Sequence, residues 1–196
     1  MARRTFFSFH YQPDVSRAQV VRNSWVTQDR QDAGFFDASV FEAKKREGVE
    51  ILKRFLREAL NGSTVTCVLA GTQTAARRWV RYEVVQSFRR GNGILCVFVD
   101  GIKNLQQLPA LRGANPLDQL AFRINREQLT FLELNNGVWE EYGDAPGMNV
   151  TDVAYDLKEM TNHTFSNLFH AYDWNADDGY TNLAAWIETA ARNAGK

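Results

Sequence analysis

Apolar positions along the chain form two kinds of run. Thr64 to Ala70 (TVTCVLA) and Ile94 to Val99 (ILCVFV) are continuous, rich in β-branched residues and bounded by turn formers. That pattern predicts strands buried on both faces. Thr5 to Phe9 is a shorter aromatic run after a basic start and reads as a first strand; GFFDASVF around Phe36 reads as a second, ending at Asp37. Between these runs the spacing turns helical. Val21 and Trp25 stand one turn apart in a helix over residues 17–26, and from Val49 the residues Leu52, Phe55, Leu56, Ala59 and Leu60 recur at helical intervals until Asn61-Gly62. Gly71-Thr72-Gln73-Thr74 supplies a turn and candidate N-caps for a helix running to about Arg90, which Gly91-Asn92-Gly93 ends.

Strand and helix thus alternate with short connections, which predicts a parallel sheet with helices on both faces. Ligands of such sheets bind beyond the carboxyl ends of the strands. Here those ends carry Ser8-Phe9-His10, Asp37, Gly71-Thr72 and Asp100-Gly101. After Asp100 the alternation stops. Two runs, 129–134 and 138–142, flank Asn135-Asn136-Gly137, a hairpin signal. Residues 181–192 are amphipathic enough for a closing helix, and the string AYDWNADDGY before them reads as a capped turn.

The length of 196 residues suits one well-buried core, and 44% hydrophobic residues fit a globular protein. Acidic and basic residues balance at 23 each, so no electrostatic footprint for a nucleic acid is expected. No apolar run reaches the ~18 residues a bilayer span needs, and the start Met1-Ala2-Arg3-Arg4 shows no signal-peptide pattern; a cytoplasmic protein is the expectation. Cys67 and Cys96 each sit inside an apolar strand, where a free cysteine is a small buried hydrophobe.

Chemistry concentrates on one helix. Around an axis with residues about 100° apart and Glu83 at zero, Ala76, Trp79 and Val80 fall within roughly 60°, with Val84 a little beyond; Arg77, Arg78, Arg81 and Arg89 lie more than about 100° away. A carboxylate in the middle of an apolar stripe is costly if unpaired. Glu83 therefore pairs with an arginine from a neighbouring helix, lies at the exposed edge of the stripe, or serves a site. The arginines at 77, 78, 81, 89 and 90 form either a solvated helix face or a phosphate-binding one. Residues 173–179 resemble a calcium loop but have Asp178 at its sixth position and Ala184 at its twelfth, where glycine and glutamate belong. His10, His163 and His170 have no metal-ligand spacing, and neither a GxSxG elbow nor a phosphate loop of the GxxxxGK[ST] kind occurs. No metal and no cofactor are expected.

Two segments together resemble the Toll/interleukin receptor (TIR) fold: Phe6-Phe7-Ser8-Phe9-His10, like the strand that opens TIR domains, and Trp79-Val80-Arg81-Tyr82-Glu83, like their tryptophan-to-glutamate signature. With the strings RRTFFSFHYQ, VVRNSWVTQ, FDAS, TVTCVLAGTQT, RRWVRYE, Asn115-Pro116 and YDWNADDGY, nearly the whole chain is similar to the TIR-like proteins of the bacterial Thoeris anti-phage defence system. It departs from many TIR domains at Val80, where they have cysteine, and at His10, where several have arginine.

The resemblance implies an α/β, TIR/flavodoxin-like fold over a single domain 1–196, with a core of about 3–100 and a hairpin-containing extension of about 101–196. It implies an enzyme that cleaves NAD, its substrate, at the nicotinamide–ribose bond to give a cyclic ADP-ribose-type messenger. Glu83 would be catalytic; Phe9, His10, Asp37 and Trp79 would contact substrate. The implied partners are a messenger-responsive effector, an infection-derived trigger and further copies in a homo-oligomer. Trp139 in the hairpin and the segment after Asp100 are candidates for a lid over the site. The competing reading is a non-catalytic TIR-type interaction or nucleotide-sensing module, which would not need a carboxylate at position 83.

Overall fold

A computed structural model of the chain describes residues 3–26, 33–34, 38–157 and 162–196. Its first sheet is wholly parallel. Strands β1 (Thr5–Phe9), β2 (Ala33–Gly34), β3 (Val65–Ala70), β4 (Gly93–Phe98) and β10 (Ala171–Asp173) lie in the order β10-β4-β3-β1-β2. Numbered by their succession within the sheet, that is 2-1-3-4-5, the flavodoxin-like order. Between β4 and β10 the chain builds a second, antiparallel sheet from β5 (Leu120–Asn125), β6 (Gln128–Asn135), β7 (Val138–Glu141), β8 (Met148–Asn149) and β9 (Asn162–Thr164). Among the described residues no helix is long and apolar enough to cross a membrane.

Each face of the parallel sheet buries its own core, because the strand residues alternate. On one face Phe7, Cys67, Leu69, Leu95 and Val97 pack against α1 (Tyr11–Val26) and α6 (Gly179–Asn193). On the other, Val68, Ala70, Cys96 and Phe98 pack against α4 (Arg78–Arg89) and the second sheet. Helix α3 (Val49–Ala59) covers α4 from the side through Leu52 and Leu56 against Tyr82. Both cysteines are free and buried.

Several boundaries differ from the sequence expectation. Helix α1 starts six residues earlier than residue 17, with Pro13 in its first turn, where a missing N–H costs nothing. The second strand is only Ala33–Gly34; residues 35–37, including Asp37, and the side chain of Trp25 lie outside the described residues. Residues 38–47 form a helix that the apolar pattern did not mark, α2 (Ala38–Glu47), parted from α3 by Gly48 at φ 131°, a conformation open mainly to glycine.

The helix expected from Thr74 is broken in two. Thr74–Ala76 is a single 3₁₀ turn, Arg77 is extended at φ −88°, ψ 114°, and α4 begins only at Arg78. The cause is local: the Thr74 hydroxyl accepts a 2.9 Å bond from the Gly71 N–H and contacts the buried Asp14 carboxylate at 3.4 Å, anchoring this turn to α1. Ala76 is therefore not on the same helical face as Glu83. The string AYDWNADDGY also holds more than a turn, since its first residues form β10, the fifth strand of the parallel sheet. The hairpin stands as expected, with Asn136 and Gly137 at φ 49° and 81°, the positive values that a two-residue hairpin turn of type I′ requires.

Candidate functional site

At the carboxyl end of β1 lies a cleft of about 530 Å³, within the range of small-molecule sites. Three stretches of chain line it. The end of β1 and the start of α1 give Phe7, Phe9, His10, Tyr11 and Gln12; α2 gives Phe41, Glu42 and Lys45; and the junction into α4 gives Arg77, Trp79, Val80 and Glu83. Of the site residues expected from sequence, Phe9, His10, Trp79 and Glu83 meet in this one cleft. Asp37 lies outside the described residues.

Glu83 is its chemical centre. The residue is 5% exposed, and its Oε2 accepts a hydrogen bond from the Ser8 hydroxyl, itself 1% exposed on β1. Among the described residues no arginine or lysine pairs with it, so the pairing expected of a merely structural acid is not made. Burial pushes its pKa up from 4.5 to about 8, against the opposing pull of the Ser8 hydrogen bond. At neutral pH an empty site thus holds a protonated carboxyl. A ligand that brings positive charge beside it would favour the carboxylate.

The walls are aromatic. Phe9 and Tyr11 stack at 5.9 Å between ring centroids, and Trp79 meets Tyr82 edge-on at 6.0 Å. Arg78 lies over the Trp79 ring at 4.8 Å and is held there by Asp144, which accepts bonds of 2.7 and 2.6 Å from its guanidinium and also pairs with Lys53 at 3.2 Å. His10 has its basicity lowered by burial and by the nearby charge of Arg77.

Two expectations are corrected here. Among the described residues neither the hairpin around Trp139 nor any other residue after Asp100 lines the cleft; the second sheet packs on the other side of α4, and α2 takes the covering position instead. The arginine-rich face is not uniform: Arg78 and Arg90 are exposed, the others part-buried. Arg78 is tied to Asp144, Arg81 to Glu133 at 3.5 Å, and Arg90 to Asn61 and the Arg57 carbonyl, whereas Arg77, released from the helix by its extended backbone, lines the cleft. Sequence reasoning gave Ser8 no role beside Glu83. Its only signal was a polar residue in a buried strand, two positions from Phe6 and so on the same face.

A doubly wound parallel sheet with a buried acid, unpaired by any cation among the described residues, beside its first strand is the arrangement of a TIR-like domain. Comparison with known proteins is more specific. The sequence model of the family "Thoeris protein ThsB, TIR-like domain" matches residues 6–104. The protein named "Putative cyclic ADP-D-ribose synthase ThsB1" from Bacillus cereus (strain MSX-D12) is 41% identical over 191 residues, covering 95% of this chain and 100% of that protein. The chain belongs to the Thoeris ThsB TIR-like family.

Proposed function

We propose that this chain cleaves NAD between nicotinamide and ribose and closes the remaining ADP-ribose into a cyclic messenger for anti-phage defence. The observation that carries this reading is Glu83: a desolvated carboxyl with no cationic partner among the described residues, on the floor of a cleft with aromatic walls. The activity in the name of the 41% identical relative agrees with it.

The chemistry asks little else of the protein. When the C1′–N bond breaks, its electron pair stays on the pyridinium nitrogen, so nicotinamide leaves neutral and no general acid is required. Positive charge then passes to the ribose as an oxocarbenium-like centre. Glu83, once ionised, stabilises that charge and orients a ribose hydroxyl, and the cationic nicotinamide ring itself draws the proton off the carboxyl as it binds. Trp79 and Phe9 supply the aromatic walls. A nucleophilic atom elsewhere on the same ADP-ribose forms the new bond to C1′ and loses its proton. It outcompetes water only in a dry pocket that folds the ligand back on itself.

The messenger acts on a separate effector, and the resting enzyme waits for an infection-derived trigger and assembly with further copies. The test is to incubate purified protein with NAD, alone and with infected-cell lysate, and to separate the products by chromatography and mass. A cyclic product is lighter than linear ADP-ribose by one water, and Glu83→Gln should lower its formation on the order of a hundredfold, the equivalent of roughly 3 kcal/mol of transition-state stabilisation. Near wild-type turnover by folded Glu83→Gln protein would remove the assignment, and a pool dominated by linear ADP-ribose would leave a plain hydrolase.

A further inference from the structure

Arg77 differs from the arginines around it. Its Nε is buried without a hydrogen-bond partner, as is that of Arg81, but Arg81 faces the Glu133 carboxylate at 3.5 Å, whereas Arg77 donates, among the described residues, only from its Nη2 to the neutral side chain of Gln73. No carboxylate pairs with it among the described residues, although Arg81 is committed to Glu133 of β6 and Arg78 to Asp144 of the segment after β7. The other charges of the cleft do not compensate it. Lys45 and Glu42 neutralise each other across one helical turn at 3.5 Å, and Glu83 holds its proton. A second orphan stands nearby: Nδ1 of His10 is buried and without a partner. A buried guanidinium N–H is almost always satisfied, and this one shares a ligand-sized cleft with an unpartnered imidazole nitrogen, which points to a ligand that satisfies both.

We infer that Arg77, with His10 beside it, is the subsite for the diphosphate bridge of a dinucleotide lying in the Glu83 cleft. A guanidinium offers parallel N–H groups that match two phosphoryl oxygens, and charge-assisted bonds of this kind are the strong ones. The imidazole, neutral at physiological pH, donates one N–H in its Nδ1 tautomer without adding charge. Arg77 serves this purpose because the extended backbone at its position turns it out of α4; in a continuous helix it would face away from Glu83. The subsite therefore sets specificity for a phosphate-bridged substrate over a nucleoside, and it rests on the NAD reading only for the identity of the whole ligand.

The experiment is calorimetric titration of the full chain carrying Glu83→Gln, chosen because turnover should be slowed on the order of a hundredfold, using NAD, inorganic pyrophosphate and nicotinamide riboside as separate probes. Adding Arg77→Gln should weaken NAD and pyrophosphate about tenfold to a hundredfold and leave nicotinamide riboside unchanged, with Arg77→Lys in between. Should Arg77→Gln not fold, Arg77→Lys must still lose several-fold for the two phosphate-bearing probes. Equal NAD affinity with and without the Arg77 guanidinium overturns the inference, as does pyrophosphate that fails to bind at millimolar concentration. Pyrophosphate held through Arg77 in a protein that ignores NAD would instead keep the anion subsite and remove the NAD reading.

Discussion

Replacing Glu83 by glutamine should make the protein more stable at neutral and alkaline pH while it destroys activity. The denatured chain releases the Glu83 proton near the ordinary 4.5, whereas burial makes the folded protein keep it to about 8. Between those values the native state binds one proton more than the unfolded state, so stability falls as pH rises. Below about 4.5 the group contributes no difference, and above about 8 the whole cost is present. At pH 7 some 2.5 pH units of that window have been crossed, which is about 3 kcal/mol at 1.36 kcal/mol per unit. Glutamine removes the titration, keeps the size of the side chain and still offers an oxygen to the Ser8 hydroxyl.

Urea unfolding of both proteins at pH 5, 6, 7 and 8 reads this directly. All other titrating groups, His10 included, cancel in the difference between the two to the extent that they do not feel position 83. The stability gap should be small at pH 5, widen steadily and reach about 3 kcal/mol near pH 7, or roughly 6–12 °C in Tm for a chain of this size. A gap that stays flat from pH 5 to 8, or a variant less stable than wild type at pH 8, would show that the buried carboxyl does not carry the raised pKa and would refute the account of its desolvation.

Other positions respond differently. Ser8→Ala removes the bond that favours the carboxylate, so the Glu83-dependent limb of the pH–rate profile should move to higher pH; an unmoved profile would mean that Ser8 does not act on Glu83. Gly93→Ala should fail to fold or lose several kcal/mol in urea, because a Cβ there would stand 2.4 Å from the Ala190 carbonyl oxygen, a backbone atom of α6 that cannot step aside. Trp139→Ala, on the hairpin away from the cleft, should leave NAD turnover within about twofold of wild type, and a larger loss would restore the hairpin as a lid.

What the sequence revealed follows from the range of the interactions involved. Strands β3 and β4 were legible because burial on both faces leaves an unbroken apolar run, and the β6–β7 hairpin because Asn136-Gly137 is a local requirement of the turn. Strand β10 was not: it has three residues and is a strand only because β4 offers its edge 75 positions earlier, at Cys96 to Ala171. The site divides in the same way. Glu83, Trp79 and Val80 share a helical face that spacing alone displays. Ser8 joins them from 75 residues away, and Arg77 was placed on the wrong side because a wheel drawn from Thr74 assumes a helix that Thr74, bonded to Gly71 and Asp14, interrupts.

The second sheet, expected as a lid, gains a different role once the energetics of α4 are considered. A helix that carries a buried, unpaired acid on one face must be held by its other faces, since the acid favours any displacement that lets water reach it. Phe88, one turn beyond Glu83, is fixed by five rings from beyond β4: Tyr155 at 4.9 Å, Phe165 at 5.2 Å, Phe131 at 5.6 Å, Phe122 at 6.0 Å and Phe169 at 6.3 Å. At the N-terminal end of the same helix, Asp144 of the segment after β7 anchors Arg78. Both ends of α4 are thus fastened by a part of the chain whose described residues do not line the cleft. That segment denies α4 the small movement that would hydrate Glu83 and return its pKa toward 4.5. On the proposed reaction, the dryness that cyclisation demands would be maintained from behind the helix as well as by the walls in front of it.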